Sequence, residues 1–207
     1  MLKNSRLKFL FEKKDAHALA AWRIVVACLL LWDVFRWANT LQLHTTLYSN
    51  SLTNFHYNLL MFLNPVGGES GMKLIMYIVA ASLLMVLLGW KYRVAIITFF
   101  IGFSYLFYID QSIYNNHLYL MSVLGFLLIF IGANKAFSID GKGGDKKVPA
   151  WNYYILQFMI FVVYFYGGIA KLTYDWLVLK MPVKLLLESL SRQSGLVDTL
   201  NLSLIHI

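Results

Sequence analysis

Five long apolar runs alternate with polar connections along this chain, and this alternation is the first guide to its structure. Most of the runs approach the roughly 20 residues that an α-helix needs to cross about 30 Å of hydrocarbon, and unbroken runs of this kind exclude a closed barrel. We therefore predict an all-α fold, a polytopic transmembrane helical bundle with at least five spans in a single domain over residues 1–207. The predicted spans are residues 17–38, 73–89, 94–109, 117–133 and 151–169.

The composition supports a membrane protein and argues against several other classes. Hydrophobic residues make up 59% of the chain and charged residues 14%, whereas a soluble domain has about 25% charged residues. Cys28 is the only cysteine, so no internal disulfide is possible, and we expect no metal site. The net charge of +8 does not indicate nucleic acid as a partner, because the basic residues fall in short loops. We expect the lipid bilayer to be the main partner.

The distribution of lysine and arginine over the loops predicts the orientation in the membrane. Eleven of these residues fall in three loops, and two other loops contain none. The basic loops are residues 1–15, 90–93 and 134–149, and the loops without lysine or arginine are residues 40–72 and 110–116. By the positive-inside rule, the N-terminus and the basic loops are cytoplasmic. Five spans that start inside then place Lys171 and His117 at the extracytoplasmic face of a multi-pass protein, in the inner membrane if the cell is bacterial.

Ionisable residues inside the first span have a structural and a functional interpretation. Arg23 lies near the inner end, where its long side chain can snorkel to the interface. Asp33 and Arg36 are three residues apart and can lie on one helix face as an ion pair. The pair is either a self-neutralising element inside the bundle or part of a ligand site, because ions within spans are functional hypotheses by default.

The longer connections are predicted to contain little regular structure. Residues 40–72 form a polar extracytoplasmic loop with one short interfacial helix over residues 59–63, and residues 134–149 form a basic flexible loop. His44 and His56 lie 12 residues apart with no carboxylate between them. We therefore interpret them as ordinary loop histidines rather than as a metal-binding pair.

The stretch over residues 151–177 contains the first candidate site. About 18 apolar and aromatic residues run without a charge to Gly167 and Gly168, and Lys171 follows. A lysine near the end of a span is tolerated but poorly hydrated. The glycine pair leaves room for a flat ligand or for another backbone. The simpler interpretation is an interfacial anchor built from lysine and aromatic residues.

His117 begins the fourth span and marks a second candidate position. It follows Asn115 and Asn116, and Tyr119 lies two residues further on. A histidine at this position can also be a helix-capping or packing residue. Its predicted depth is that of Lys171, and two ionisable residues from different helices at one depth favour a site.

Four motifs together resemble the membrane domain of vitamin K-dependent γ-glutamyl carboxylases, also called the horizontally transferred transmembrane (HTTM) domain. They are DQSIYNNHLYL, IGANKAFSIDG, the LGWKYR turn, and the run that starts at VPAWNYY and ends in GGIAKLTYDWL. The resemblance covers roughly residues 17–190 and is to a bacterial-type member. In that family the lysine matching Lys171 is the base that activates the reduced vitamin, and the histidine matching His117 assists it. Ala170 stands where some members have a second lysine, so the role of that neighbour does not transfer.

The resemblance implies an enzyme of the carbon–carbon lyase class that works on a glutamate-containing protein substrate. Its cofactor would be reduced vitamin K or a menaquinone-type naphthohydroquinone, with O2 and CO2 as co-substrates and no metal. The lysine takes a proton from the lipid-soluble quinol, and oxidation of the quinol by O2 to the epoxide yields a strong base. That base removes the γ-proton of the glutamate side chain. The resulting carbanion captures CO2. Such a lysine must be uncharged, hence partly buried, in a dry aromatic pocket. The candidate substrate- or quinone-binding residues are Asn115, Asn116, Tyr119, Gly167, Gly168, Asp175, Trp176, Asp33 and Arg36.

Two departures from the family pattern leave other functions open. First, members with carboxylase activity continue into a large extracytoplasmic domain, whereas this chain continues from the post-span motif at residues 170–177 to an apolar segment at residues 196–207. Second, the last residues, LSLIHI, resemble a translated sequencing adapter. We expect a C-terminally truncated member that lacks the extracytoplasmic domain. The alternatives are a quinone-binding redox membrane protein without carboxylase activity and a proton or anion carrier, although no inverted repeat is visible to support a carrier.

Overall fold

The computed structural model describes residues 5–46 and 55–194, and the chain divides into two compact units, Met1–Tyr154 and Ile155–Ile207. The helices are α1 His17–Phe35, α2 Leu43–Thr46, α3 Gly68–Leu88, α4 Tyr92–Tyr108, α5 Asn116–Phe130, α6 Trp151–Ile169, α7 Tyr174–Leu177 and α8 Met181–Ser194. The strands are β1 Lys13–Asp15 and β2 Lys147–Pro149. The described chain is mostly helical, as predicted.

The core of the first unit is built around α3 and α4. Helix α3 packs against α1 and α4, and α5 packs against α4. Phe99, Phe103 and Phe107 recur every four residues, form one face of α4 and are almost completely buried, as expected for an apolar helical stripe. Trp37 stacks on Phe103 with 5.7 Å between ring centroids. The packing of these rings fixes the end of α1 against the middle of α4.

A tight turn joins α3 to α4, as predicted. Gly89 has φ +61° and Lys91 has φ +43°, and the N–H of Trp90 donates to Met85 O at 2.9 Å, which closes the end of α3. A Cβ at Gly89 would lie 2.2 Å from Ser138 Cβ. Both the positive φ and the contact require glycine at this position.

The helix boundaries differ from the predicted spans at several ends. The first segment continues past Phe35 as a π-helical turn, Arg36–Thr40. Helix α3 begins at Gly68, five residues before the predicted start, because Gly67 and Gly68 adopt positive φ and let the chain enter the helix there. In place of the predicted helix over residues 59–63 there is a single 3-10 turn, Asn58–Leu60. Helix α5 ends at Phe130 rather than at residue 133, where the backbone becomes extended.

Three helical segments of the described chain are long and apolar enough to cross a membrane. They are His17–Thr40, Gly68–Leu88 and Trp151–Ile169, with mean hydropathies of 1.9, 2.2 and 1.3. Helices α4 and α5 are apolar but contain 17 and 15 residues, which at 1.5 Å per residue give roughly 25 and 22 Å. The count of at least five spans and the cytoplasmic N-terminus therefore stay predictions.

A two-stranded antiparallel ribbon, which the sequence pattern did not predict, lies at the end of the first unit where α1 begins. Lys14 pairs with Val148, and Asp15 pairs with Lys147. Val148 is buried whereas Lys147 and Pro149 are exposed, so the ribbon has one packed and one open face. The Asp15 carboxylate accepts from the backbone N–H of His17 at 2.8 Å and also contacts the imidazole of His17. These hydrogen bonds, the backbone one first, lower the pKa of Asp15.

Arg23 is fully buried, so the prediction that it snorkels to the interface is wrong. Its Nη1 donates to Ala133 O at 2.8 Å, and its Nη2 donates to Phe137 O at 2.5 Å and to Leu87 O at 3.4 Å. One guanidinium thus ties α1 to the end of α3 and to the segment after α5. Arginine suits this role because its planar guanidinium presents donors from separate nitrogen atoms in fixed directions, whereas a lysine donates from one nitrogen atom.

Residues 134–149 are held by specific hydrogen bonds, which the prediction of a flexible loop did not include. The Asp140 carboxylate accepts from the N–H groups of Lys91 and Tyr92 at 3.0 and 2.8 Å and so caps the start of α4. Ser138 Oγ donates to Asn134 O and accepts from the N–H of Gly141. The segment therefore forms part of the first unit.

The second unit contains most of α6, then α7 and α8. Helix α6 has the predicted bounds of the fifth span. Helix α7 occupies the last four residues of the predicted motif at residues 170–177. Helix α8 was not predicted; Val183, Leu186 and Leu190 recur along it at helical spacing. The predicted apolar segment at residues 196–207 lies outside the described residues.

Candidate functional site

Lys171 lies in the turn that ends α6. The N–H of Ala170 donates to Tyr166 O at 2.9 Å, and the N–H of Lys171 donates to Gly168 O at 3.0 Å. The hydrogen bonds thus change from the i→i−4 pattern of an α-helix to the i→i−3 pattern of a 3-10 turn, and the helix ends there. Thr173 is extended, with ψ 156°, and its carbonyl accepts the first hydrogen bonds of α7. This sharp change of direction brings Trp176 back toward the lysine.

The Lys171 ammonium lies over the indole ring of Trp176. The distance from Nζ to the ring centroid is 5.3 Å, within the range of a cation–π interaction. Two of the predicted site residues therefore contact each other within the second unit. Lys171 remains exposed, so the described protein atoms of this unit do not supply the burial that the sequence analysis required.

An open groove of about 640 Å³ lies beside this turn. Ala170, Asp175 and Trp176 line it together with residues from the end of α7 and the start of α8. The lining is mostly apolar, and Thr173 and Asp175 are its polar residues. Such a mixture of apolar surface and few polar groups is typical of small-molecule sites.

The surface at the glycine pair of α6 is open. A Cβ added at Gly167 or at Gly168 would meet no heavy atom within 4 Å. Nothing in the described packing of the unit therefore requires glycine at either position. The approach of a flat ligand to this surface stays a prediction.

The tyrosines near Lys171 point outward rather than enclosing it. Tyr164, Tyr166 and Tyr174 are 77%, 65% and 66% exposed. The dry aromatic pocket that the sequence analysis required is thus not closed by the described atoms of this unit. Exposed tyrosines at the end of an apolar helix are typical of a membrane interface.

The His117 end of α5 belongs to the first unit. Asn115 is extended and its side-chain oxygen accepts from the N–H of His117 at 2.8 Å, so Asn115 is the N-cap of the helix. Asn116, His117 and Tyr119 follow in the first turn, all exposed. The four candidate residues therefore share one helix end. Their convergence with Lys171, which lies in the other unit, stays a prediction.

Asp33 and Arg36 form the ion pair that their spacing predicted. Arg36 Nη2 donates to Asp33 Oδ1 at 2.9 Å. The two side chains are 34% and 51% exposed, so the pair lies at the surface of the first unit and not inside the bundle. Its role in binding a substrate or quinone stays a prediction.

A groove that the sequence analysis missed lies in the first unit. It has a volume of about 720 Å³ and is lined by Tyr57, Asn58, Leu59, Leu60, Tyr108 and Gln111. The rings of Tyr57 and Tyr108 meet edge to face at 6.0 Å. Burial raises the pKa of Tyr57, and its hydroxyl has no hydrogen-bond partner among the described residues. This groove forms where residues 55–60 meet the end of α4. No repeating pattern in the sequence indicates that these two segments are in contact, so the sequence could not predict the groove.

The long apolar helices define the class of protein: a helical membrane protein. The family model of the HTTM domain matches residues 11–203. The chain therefore belongs to the HTTM domain family, which is associated with vitamin K-dependent carboxylase membrane proteins. No solved structure matches the chain.

Proposed function

We propose that this chain is a membrane-embedded, carboxylase-like protein that couples oxidation of a naphthohydroquinone by O2 to γ-carboxylation of glutamate with CO2. The observation that carries the proposal is the family match over residues 11–203, which includes the Lys171 turn and its groove. The charge distribution over the loops supports a multi-pass arrangement with five spans and a cytoplasmic N-terminus. In this arrangement the Lys171 turn and the start of α5 reach the extracytoplasmic face.

The residues around Lys171 fit a reduced vitamin K or menaquinone-type ring. The groove is lined by Ala170 and Trp176, which flank or contact Lys171, although Lys171 itself does not line it. Its lining is mostly apolar, Trp176 offers a flat aromatic face, and the surface at Gly167 and Gly168 is open. A two-ring quinol is itself flat and apolar, with hydroxyl groups at its edge. When bound, it would supply the oxidation by O2 that yields the strong base needed for carboxylation.

In this proposal, Lys171 accepts a proton at Nζ from the bound hydroxyl group. In this structure Nζ lies over the indole of Trp176, and a bound ring would replace this contact. A ring bound over Nζ, together with lipid, excludes water, and the loss of water favours the uncharged amine.

His117 has a supporting role in the proposal. Asn115 fixes the first turn of α5 through its cap, so the imidazole extends from a defined helix end next to Asn116 and Tyr119. It would orient or stabilise the anion that deprotonation produces. The Asp33 and Arg36 pair, already neutralised internally, would act as a further polar contact for the substrate.

The test is fixation of CO2 into a glutamate-containing peptide by the full-length protein in lipid nanodiscs. The mixture contains reduced menaquinone, O2 and labelled bicarbonate, and acid-stable label in the peptide is counted. The proposal predicts label that requires both the quinol and O2, that is lost in Lys171→Ala, and that is retained in the control Lys184→Ala on α8. Quinol oxidation without label would instead indicate a redox protein. Proton or anion flux with neither reaction would indicate a carrier.

A further inference from the structure

Two basic stretches that are far apart in the sequence form one surface in the first unit. The ribbon pairs residues 13–15 with residues 147–149, and the N–H of Ala16 donates to Lys146 O at 2.9 Å. We call the resulting surface the basic face. It consists of the lysines in and beside the two paired segments, namely Lys8, Lys13, Lys14, Lys142, Lys146 and Lys147; within the ribbon, Lys13 and Lys147 lie on the open side and Lys14 lies on the side of Val148.

The acidic residues near the basic face neutralise it only in part. Lys13 Nζ lies 3.2 Å from Asp145 Oδ2, but the two side chains are 71% and 57% exposed, and such pairs contribute little. Asp15 is engaged by His17. Asp140 is occupied by the N–H groups at the start of α4. Glu12, next to Lys13, is exposed as well. Six lysines against four carboxylates leave a surplus of two positive charges, to which an external anion can bind.

Exposed aromatic side chains lie in the same segments as these lysines and favour a lipid as the source of the anions. Phe9 and Phe11 are 52% and 57% exposed, and Phe137 is 60% exposed. Lys14 Nζ lies 5.1 Å from the ring centroid of Tyr154 and 3.5 Å from its hydroxyl. Lysines interleaved with exposed apolar rings suit the boundary between acyl chains and headgroups. A soluble anion would leave these rings in water.

We propose that the basic face binds the phosphate headgroups of anionic phospholipids. The lysines contact the phosphates, and the phenylalanines insert beside the acyl chains. The face lies where α1 begins and α3 ends, which is the side that carries the basic loops and that the charge count assigns to the anionic cytoplasmic leaflet. The inference does not depend on the proposed enzymatic activity.

Native mass spectrometry of the full chain in detergent tests the proposal. Phosphatidylglycerol and phosphatidylcholine are titrated separately, and the ratio of their first association constants is measured. Each lysine near an anionic headgroup contributes roughly a fivefold change, so we expect the ratio to favour phosphatidylglycerol by about tenfold or more. The variant Lys142→Gln/Lys146→Gln/Lys147→Gln should bring it close to one. The variant Lys8→Gln/Lys14→Gln should also lower it, because the ribbon joins both stretches.

Two matched variants separate charge from folding and from nonspecific attraction. Replacement of Lys142, Lys146 and Lys147 by arginine should preserve the ratio, since the charge remains. Replacement of Lys73, Lys180 and Lys184 by glutamine removes the same charge elsewhere and should leave the ratio unchanged. The proposal is overturned by a ratio near one in the unmodified chain. An equal loss in the two glutamine triples would also overturn it.

Discussion

Replacement of Arg23 by methionine should strongly destabilise the first unit. The guanidinium is fully buried and donates two short hydrogen bonds, to Ala133 O and Phe137 O, and a longer one to Leu87 O. Methionine keeps most of the side-chain volume but offers no donor. Three carbonyl groups from two separate segments would lose their partner at the same time.

The size of the effect follows from the number and length of these hydrogen bonds. A hydrogen bond to a charged group contributes about 1.5 to 3 kcal/mol. The bonds at 2.8 and 2.5 Å count fully, and the bond at 3.4 Å adds little. Arg23 Nε has no partner among the described residues, and removal of this buried polar group returns part of the loss. The net destabilisation should be about 3 to 5 kcal/mol.

The assay is thermal unfolding in detergent, followed by circular dichroism and by total tryptophan fluorescence. For a unit of this size, each kcal/mol corresponds to about 2 to 4 °C, so the midpoint should fall by roughly 6 to 20 °C. The control is Arg93→Met, because Arg93 is exposed and its Nη2 lies 3.5 Å from Phe130 O. Equal midpoints for the two variants would refute the clamp role assigned to Arg23.

Three further predictions concern orientation, the ion pair and acid stability. A reporter fused after Lys142 should be cytoplasmic and one within residues 50–58 extracytoplasmic; the opposite labelling at both points would contradict the orientation. Asp33→Asn or Arg36→Gln alone should lower the unfolding midpoint more than the double variant does, because each single variant leaves one charge in lipid without its partner. Equal or greater loss in the double variant would argue against the ion pair. The pKa of Asp15 is lowered in the folded state, so its stabilisation is present above its unfolded value of about 3.9 and is lost as pH falls below it. In an acid titration, Asp15→Asn should therefore show a smaller loss of midpoint than the unmodified chain, and an identical loss would exclude this contribution.

The parts of the fold that were predicted from the sequence depend on local patterns. The long apolar run that ends at Ile169 predicted α6 with its observed bounds, because length and hydropathy decide such a helix. The three-residue spacing of Asp33 and Arg36 predicted their ion pair. The four-residue interruption at residues 90–93 between two apolar runs predicted the tight turn between α3 and α4.

The parts that were missed depend on contacts between distant residues. The pairing of Lys14 with Val148 joins positions far apart in the sequence, and three-residue strands have no period to detect. The carbonyl groups that bind Arg23 belong to residues 64 to 114 positions away. The start of α3 was placed too late because Glu69 and Gly71 are polar or small, although the positive φ of Gly67 and Gly68 is what sets the boundary.

The most direct measurement is oxygen-dependent epoxide formation from a reduced naphthoquinone by the full-length protein in nanodiscs, with Lys171 varied. Lys171→Ala should leave folding and insertion intact, because the side chain is exposed and contributes little to packing, but it should abolish the reaction. Lys171→Arg should fail as well, since a guanidinium stays protonated and cannot accept a proton. A small amine added to Lys171→Ala should restore part of the turnover with a pH dependence set by that amine, and His117→Ala should slow the reaction less severely. Undiminished epoxide formation with alanine or arginine at position 171 would contradict the account and leave the lysine an interfacial anchor.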